Sequence, residues 1–566
     1  MTNKEIGKIL KSTAAMIELT GGNPFRSRAM ANAARNIERS EDSIVSLAET
    51  DQLKSIKGIG SGLADQIKEV IETGTFQARE DLIGAIPAGL MEILRIKGLG
   101  AKKVRTLWQK LGITTIKELE EMATTGQLAS VDGFAEKTQQ NILLNIQLLK
   151  KYVKRRRYAD LYRLLAPAVE ALNALPDVTA ASFTGEVRRK LETIGHAEII
   201  IAATPSPGIT DALNEWLDEP ATEDTDAGSL SGTVADGIPF SAMFVDVDAY
   251  AKTLFKRTGN DTHVSSFIAK HGEPADEKSE EAIYEKAGLA FVPPELREGT
   301  DELELAASHQ LPELLTADKL QGTLHNHSTY SDGAHTLQEM SDAAFEMGLS
   351  YFGICDHSQS LVIAHGLAPE RVADQQVEIA TINANYAASK SRPFKVFSGI
   401  ESDILNDGSL DYTDDILASF DFVVGSVHTR LNMPEEEATQ RVLRAVENPY
   451  TSILGHPTGR ILLVREGYKL NYDVILAACA ANNVAIELNA SPYRLDLDWR
   501  YIRKATAMGI LISINPDAHA MEGLKDVYWG TEVARKGWLT EKQCLNTMSL
   551  DSFEAWIAEQ KSKRPA

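Results

Sequence analysis

The sequence predicts a multidomain chain in three textures: α-helical hairpin domains first, an α+β domain next, and an alternating β/α barrel last. Three observations carry this reading. A Gly-apolar-Gly unit recurs near the N-terminus, as Gly58-Ile59-Gly60 and Gly98-Leu99-Gly100. Beyond Tyr158 a helical stretch gives way to short apolar runs of strand type. From 320 to 546 such runs alternate with amphipathic helices, which argues for a parallel α/β arrangement. At 566 residues the chain exceeds what one core can organise.

Bulk numbers bound the class. Hydrophobic content of 43% and charged content of 24% are ordinary for a globular protein, and no apolar run is long enough for a membrane span. The polar, periodic start MTNKEIGKILKS lacks a signal-peptide core. Cys355, Cys479 and Cys544 are too few and too scattered for a disulfide framework, so a reducing, cytoplasmic setting is expected. The net charge of −22 is unevenly spread. Residues 1–157 hold 25 Lys and Arg against 18 Asp and Glu, whereas the remainder holds 33 against 62. A basic first quarter on an acidic chain points to a polyanionic partner for that quarter.

In the first region, Ile6, Leu10, Ala14 and Ile17 recur at helical spacing, and Asn23-Pro24 punctuates the turn that follows. Each Gly-apolar-Gly unit then precedes a helix, which is the pattern of a helix-hairpin-helix. Gly58, Gly60, Gly98 and Gly100 would let backbone N–H groups at the following helix approach a phosphate closely. Lys102, Lys103 and Arg105 add charge suited to sequence-independent backbone binding. A weaker third copy runs Val131-Asp132-Gly133-Phe134-Ala135. The basic run Lys150 to Arg157 reads equally as a solvated helix face or a phosphate contact.

Between 158 and 300, a helix from Tyr158 to Leu175 leads into strands at 180–183, 198–203 and 240–247. The acidic stretch Asp218 to Asp226 is expected to be a mobile insertion. In the last region seven strand-like runs end near His327, His357, Glu401, His428, His456, Asn489 and Asp517, with helices such as Leu337–Met347, Glu370–Ala387, Glu436–Glu447 and Tyr472–Asn482 between them. His325 and His327 alternate along the first run and so share a face, and Asp332 follows in a Ser-Asp-Gly turn able to fold back over its end. His325, His327, Asp332, His357, Glu401, His428, His456, Asp517 and His519 form a candidate ligand set at the strand ends, where barrels gather their reactive groups. That is too many ligands for one ion. Two or three divalent ions fit better, and mixed imidazole and carboxylate donors suit Zn²⁺, Mn²⁺ or Fe²⁺. Such clusters favour phosphoester hydrolysis, with Arg460 and Arg494 as candidate phosphate clamps and Asp356 as the expected orienter of His357.

The motifs Leu-His-Asn-His, Ser-Asp-Gly, Asp-His-Ser, Gly-Ile-Glu, Ser-Val-His, Gly-His-Pro-Thr-Gly-Arg and Asp-Ala-His, in that order, resemble the polymerase-and-histidinol-phosphatase (PHP) domain. The hairpins and Gly185…Arg188-Arg189…Thr193-Ile194-Gly195 in front resemble bacterial family X DNA polymerases. The resemblance implies helix-hairpin-helix domains over 1–80 and 81–157, a nucleotidyltransferase-like palm and thumb over 158–305, a linker over 306–320, and a distorted (β/α)7 PHP barrel over 321–566. It further implies DNA as partner (gapped, nicked or 3′-recessed), three metal ions, a monomer, and 3′–5′ exonuclease and 3′-end or abasic-site processing in the barrel. Arg26, Arg28 and Arg35 around Phe25 match part of the family's end-binding pocket. The palm departs from its pattern. Where the family carries its metal-binding aspartates, this chain has His196, Glu198 and, at the third position, Ser241, so loss of nucleotidyl transfer is the expectation. An active gap-filling polymerase and a non-catalytic DNA scaffold remain as alternatives.

Overall fold

The computed structural model describes every residue except 41, 132, 225–227, 236, 390–391 and 566. Asp132 of the third hairpin copy, and Thr225 and Asp226 of the acidic stretch, therefore lie outside the described residues. The chain divides into two compact units, Met1–Val153 and Lys154–Ala566.

The first unit is helical. Helices Asn3–Leu19 and Pro24–Glu38 pack as a pair, and Asn36 donates to the carbonyl of Lys57 at 2.5 Å, tying the second of them to the first hairpin. The three hairpin turns lead into helices Ser61–Thr73, Ala101–Leu111 and Glu136–Tyr152. In each, the apolar residue between the small ones (Ile59, Leu99, Phe134) is buried and anchors the turn.

The second unit begins with Tyr158–Ala174 and a five-stranded sheet in the order 180–183, 197–202, 238–245, 229–234, 222–224. Strand Ala197–Ala202 runs parallel to Ile238–Val245 and pairs Glu198 with Ser241. For the described residues of the acidic stretch the expectation of a mobile insertion fails. Thr222–Asp224 and Ser229–Val234 form an antiparallel pair, because Leu230 and Val234 alternate into the core and hold the strand in place. The basic run is likewise redirected. Its helix ends at Tyr152, and Arg156-Arg157 pair as a short strand with Thr193-Ile194.

The barrel follows as seven parallel strands hydrogen-bonded in sequence order: β1 (Gly322–Thr323), β2 (Tyr351–Ile354), β3 (Lys395–Asp403), β4 (Phe422–Ser426), β5 (Ile453–Leu454), β6 (Ala485–Asn489) and β7 (Ile512–Asn515). The intervening helices include Leu337–Glu346, Pro369–Ser389, Glu435–Val446 and Tyr472–Ala481, each within two residues of the sequence reading. Regular pairing in β1 stops at Thr323, so His325 and His327 lie beyond the ladder rather than on it as expected. A single parallel bridge, Asn326 to Ala518, closes the barrel there, with Asp517 N–H donating to His325 C=O at 3.0 Å and His327 N–H to Ala518 C=O at 2.8 Å. At the opposite end the helix Leu550–Ser562 plugs the barrel. Phe553 stacks on Tyr351 at 4.5 Å between centroids, edge-on to Phe397, with Trp556 and Ile557 buried beside it.

Residues 306–320 are not a linker in the loose sense. Leu314, Leu315 and Leu320 are buried, Leu315 N–H donates to Leu539 C=O at 2.9 Å, and one continuous apolar core runs from the five-stranded sheet into the barrel. Four leucines in fifteen residues demand burial, which the composition of that stretch already stated. Polar ties reinforce the seam: Trp499 Nε1 donates to Glu192 at 3.1 Å, Arg535 pairs with Glu295 at 2.6 Å, and Lys190 pairs with Glu532 at 2.6 Å. No helix among the described residues is long and apolar enough to cross a membrane.

The plug gives a direct stability test. Phe553→Ala removes a fully buried ring from between two aromatics and is expected to cost about 3–5 kcal/mol, read as a lowered denaturant midpoint of the barrel's tryptophan signal. An unchanged midpoint would show that the helix is not part of the barrel's cooperative core.

Candidate functional site

The C-terminal rim of the barrel gathers all nine residues of the sequence-derived set. His325, His327 and Asp332 come from the segment after β1, His357 from the end of β2, Glu401 from β3 itself, and His428 and His456 from just past β4 and β5. Asp517 and His519 follow β7. Asp517 takes a left-handed backbone (φ 55°), which turns the chain sharply at the strand end. The Ser-Asp-Gly turn folds back as its residues suggest, with Gly333 N–H donating to Ser328 C=O at 2.9 Å.

Glu401 is the hub. One of its oxygens lies 3.4 Å from His325 Nε2, 3.1 Å from His428 Nε2 and 3.0 Å from His456 Nε2. The other lies 2.7 Å from His357 Nδ1 and 3.8 Å from His327 Nε2. Asp517 stands 3.0 Å from His327 Nε2 and 3.7 Å from His325 Nε2, while Asp332 stands 3.5 Å from His357 Nε2 and 3.4 Å from His519 Nε2. Ligand atoms thus group into three overlapping clusters: His327, Asp332, His357 and His519; His325, His327 and Asp517; and His357, Glu401 and His428.

Two observations test whether these groups suit divalent ions. Donor atoms bonded to one ion at 2.0–2.2 Å sit roughly 3.0–3.5 Å apart along the edges of the coordination polyhedron, which is the spacing most of these pairs show. In addition, His325 Nε2, His327 Nδ1, His357 Nδ1, His456 Nδ1 and Glu401 Oε2 are buried without a well-aligned hydrogen-bond partner, the close approach of His357 Nδ1 to Glu401 included. Buried polar atoms rarely stay unsatisfied, and three of these, His325 Nε2, His357 Nδ1 and Glu401 Oε2, face the hub as donors meant for cations would.

The electrostatics agree. Burial opposes charge on Glu401, yet the fields of His428, His325 and His357 outweigh it and hold the carboxyl well below its usual range. Asp517 is depressed in the same way, against burial, by His325 and His327. In return, His428 is raised to about 10 against its burial by Glu401 and Asp403, and His519 to about 9 by Asp332 and Asp517. His327, buried and facing His519 and His357, is pushed down to about 3 and so stays neutral, the form that ligates metals. A rim that draws positive charge onto its own imidazoles has the potential that attracts cations.

Behind the donors lies a layer that sequence reasoning missed in part. Glu487 on β6 is fully buried, sits 2.7 Å from His325 Nδ1, and accepts the His456 backbone N–H at 2.7 Å. It thereby aims His325 Nε2 at the hub. Asp403, two residues past Glu401 on the same strand face, lies 3.2 Å from His428 Nδ1 and accepts that residue's backbone N–H. The available signals were a carboxylate inside an otherwise apolar strand for Glu487 and the two-residue spacing from Glu401 for Asp403.

Two expectations are corrected. Asp356 does not orient His357. It accepts from Ser328 N–H at 2.8 Å, from Gln375 at 2.7 Å and from the Ser331 hydroxyl, and so braces the turn that carries Asp332. Arg460 is not free to clamp phosphate. It donates to Asp498 at 2.8 Å, to Arg494 C=O at 2.9 Å and to Leu495 C=O, fixing the loop after β6. Arg494 is the guanidinium that reaches the ligands, with Nε 3.5 Å from Asp517.

In the five-stranded sheet, His196, Glu198 and Ser241 also converge. His196 Nε2 is 3.1 Å from Ser241 Oγ, and Glu198 accepts from Arg257 at 2.9 Å. Gly185 is left-handed (φ 54°), and a Cβ there would fall 2.3 Å from a Glu198 oxygen, so this carboxylate lies over the turn. Asp246 and Asp248 lie past the strand, exposed, with no slip in register to bring them in.

In the helical unit, Gly58, Gly98 and Gly133 are left-handed (φ 90°, 88° and 89°), as the turn requires. Gly60 and Gly100 have ordinary negative φ and open space where a Cβ would be. Their lack of a side chain therefore leaves the helix N-terminus clear for a close approach, and Ala135 partly covers it in the third copy. Lys102 is exposed beside the second turn, and Lys103 bends back toward Gly98 C=O at 3.4 Å and over the Phe134 ring. Arg105 instead lies over Gly21 and donates to Gln109 at 3.0 Å. Arg28 caps the exposed ring of Phe25 at 5.2 Å, and Arg35, exposed on the same helix, donates to Asn32. Lys68 is paired with Asp51 at 2.6 Å. In the second unit Arg155 pairs with Glu186 at 3.2 Å and Arg157 with Asp160 at 2.6 Å, which takes both out of the basic run's available charge.

Known proteins match in the same places. A helix-hairpin-helix domain model matches residues 1–76, a SAM-like helix-hairpin-helix tandem 90–147, and a PHP domain 323–491, which holds all the rim ligands but Asp517 and His519. The Bacillus subtilis (strain 168) protein named DNA polymerase/3′-5′ exonuclease PolX is 34% identical across 98% of this chain and 99% of its own length. A probable phosphatase of Thermoanaerobacter sp. (strain X514) is 25% identical over 43% of this chain and 97% of its own, and one of Aliivibrio fischeri (strain MJ11) is 24% identical over 36% and 80%.

The layer behind the ligands yields a measurable expectation. Glu487→Gln keeps the volume but removes the charge that fixes His325, and is expected to weaken metal binding about 10–100-fold, by titration calorimetry with Mn²⁺ or Zn²⁺. The melting temperature in chelator should stay near that of the parent. Unaltered affinity would show that Glu487 only fills space.

Proposed function

The chain belongs to the bacterial family X DNA polymerases that carry a C-terminal PHP domain, and from that premise we propose that its barrel hydrolyses DNA phosphoesters at 3′ ends while its palm no longer transfers nucleotides. The observation that carries the reading is a contrast within one unit. The rim assembles nine potential ligands with Glu401 as their hub, whereas the palm site assembles one carboxylate, one imidazole and one hydroxyl, with Arg257 already neutralising the carboxylate.

Zn²⁺, Mn²⁺ or Fe²⁺ held by the three rim clusters would acidify a water and neutralise the phosphoryl oxygens and the departing 3′ oxygen. The chain's own contribution is positional. Glu487 and Asp403 fix the rings of His325 and His428, Asp356 holds the turn bearing Asp332, and Arg460 stiffens the loop from which Arg494 reaches Asp517. Arg494 is then placed to donate to a non-bridging phosphate oxygen beside that ligand. The hairpin turns at Gly58–Gly60 and Gly98–Gly100, with Lys102, would grip the DNA backbone without reading sequence, for gapped, nicked or recessed duplexes alike.

In the palm, two-metal nucleotidyl transfer needs clustered carboxylates near the primer end and the triphosphate. The Glu198–Ser241 pairing leaves one such group. The name of the Bacillus relative favours the alternative of an active polymerase with a nuclease barrel, and primer extension separates the two.

With Mn²⁺ and a 3′-recessed labelled duplex, the protein is expected to release nucleotides from the 3′ end, and His325→Ala to reduce that rate by about a thousandfold or more, as losing an ion's ligand does for catalysis it supports. Equal degradation by His325→Ala would overturn the assignment of the site. With dNTPs on a gapped template no extension is expected, and extension by the parent protein would restore the polymerase reading.

A further inference from the structure

The loop between Ser358 and Leu367 leaves the rim directly after the ligand His357 and returns to it, because Leu367 N–H donates to His357 C=O at 2.8 Å and Ser358 bridges Leu367. Its tip is a single turn of 3₁₀ helix, Val362–Ala364, and there Val362 is 78% and Ile363 89% exposed. Isolated exposed apolar residues are common on protein surfaces. These two differ in being adjacent, in being the most exposed large hydrophobics among the described residues, and in sitting on a loop that is braced rather than loose. Ser360 N–H donates to Asp411 at 2.7 Å, Gln359 donates to Asp411 C=O at 2.9 Å, and Ser360 Oγ donates to Asp403 at 3.2 Å, the carboxylate beside His428. Gly366 runs so close to Ser358 that a Cβ would fall 1.9 Å from its carbonyl oxygen, which locks the neck of the loop.

Stiff, β-branched side chains held out to solvent at the edge of a catalytic rim are suited to pressing on the flat face of a base. Five residues of chain place Val362 within about 18 Å of His357 at full stretch, and the turn shortens that span. Stacked bases rise about 3.4 Å each, so the tip lies within a few nucleotides of a phosphodiester held at the rim. Resting on the nuclease reading above, we propose that Val362 and Ile363 form a wedge that stacks against the terminal base pair of duplex DNA and unstacks the 3′ nucleotide, letting its phosphodiester enter the rim. A duplex end is otherwise too broad and too rigid to present its last linkage to donors most of which are buried, and apolar wedges open base steps in this way.

The test uses the full chain carrying Val362→Ser and Ile363→Ser together, with Val362→Leu and Ile363→Leu as the conservative pair. A duplex with 2-aminopurine at its 3′ end and a terminal phosphorothioate reports unstacking without cleavage. The parent and the leucine pair are expected to raise its fluorescence, and the serine pair to leave it unchanged. In Mn²⁺ the serine pair should cleave blunt duplex about tenfold more slowly, yet stay within about twofold on single strands, on duplexes with mismatched ends and on bis(p-nitrophenyl) phosphate, since only the paired end has to be unstacked. Unchanged fluorescence with the parent overturns the wedge, as does an equal loss on all four substrates or a serine pair that differs from the parent only in self-association. If the parent cleaves no DNA but still unstacks the end, the nuclease reading falls while the wedge stands.

Discussion

The barrel's seam and its ligand array are the same few residues. Between β7 and β1 there is no regular ladder, only a bridge at Asn326 and Ala518 with backbone hydrogen bonds from Asp517 to His325 and from His327 to Ala518. A parallel sheet left open there would expose two edges of unpaired backbone. Closing it forces His325, His327, Asp517 and His519 into contact, and with them the first two donor clusters. The fold therefore cannot be completed without also bringing one carboxylate and three imidazoles together, in the mixed donor set that divalent ions favour.

How much of this was legible in the sequence depended on whether a residue's partner lay on its own strand. Each of the nine rim residues closes or follows an apolar run, so alternation of strands and helices sufficed to bring them to one end. Glu487, a charge within an apolar strand, and Asp403, two residues past Glu401, were equally visible, but their meaning rests on which neighbouring strand they face, which depends on register. Asp356 shows the reverse. Adjacent residues of an extended chain point to opposite faces, so a carboxylate next to His357 was poorly placed to orient it. Arg460 looked available because a sequence displays charge and not engagement, and its donors turn out to be spent on Asp498 and two carbonyls. The described part of the acidic stretch was misread as mobile because the apolar residues that hold it, Leu230 and Val234, lie beyond it on the neighbouring strand.

The hairpin glycines divide by a criterion that composition alone does not reveal. One glycine of each pair takes a backbone conformation that favours glycine, and the other leaves space. The third hairpin keeps the first requirement at Gly133 and gives up the second at Ala135, so it retains the turn's shape with less clearance for a backbone phosphate. That separation explains how a repeat can persist as architecture after its binding chemistry has weakened.

The shared core between the five-stranded sheet and the barrel has a consequence for how such a chain changes over generations. The sheet's helices and the segment 306–320 form part of the wall against which the barrel folds, and salt bridges such as Arg535–Glu295 cross the seam. A gene that lost the sheet would leave the barrel's apolar flank facing water. Selection on the barrel alone is then enough to keep the sheet's buried residues, a requirement that does not reach its surface cleft. His196 and Ser241 stand in that cleft, and Ile199, Ile201 and Ala242 beneath them in the wall.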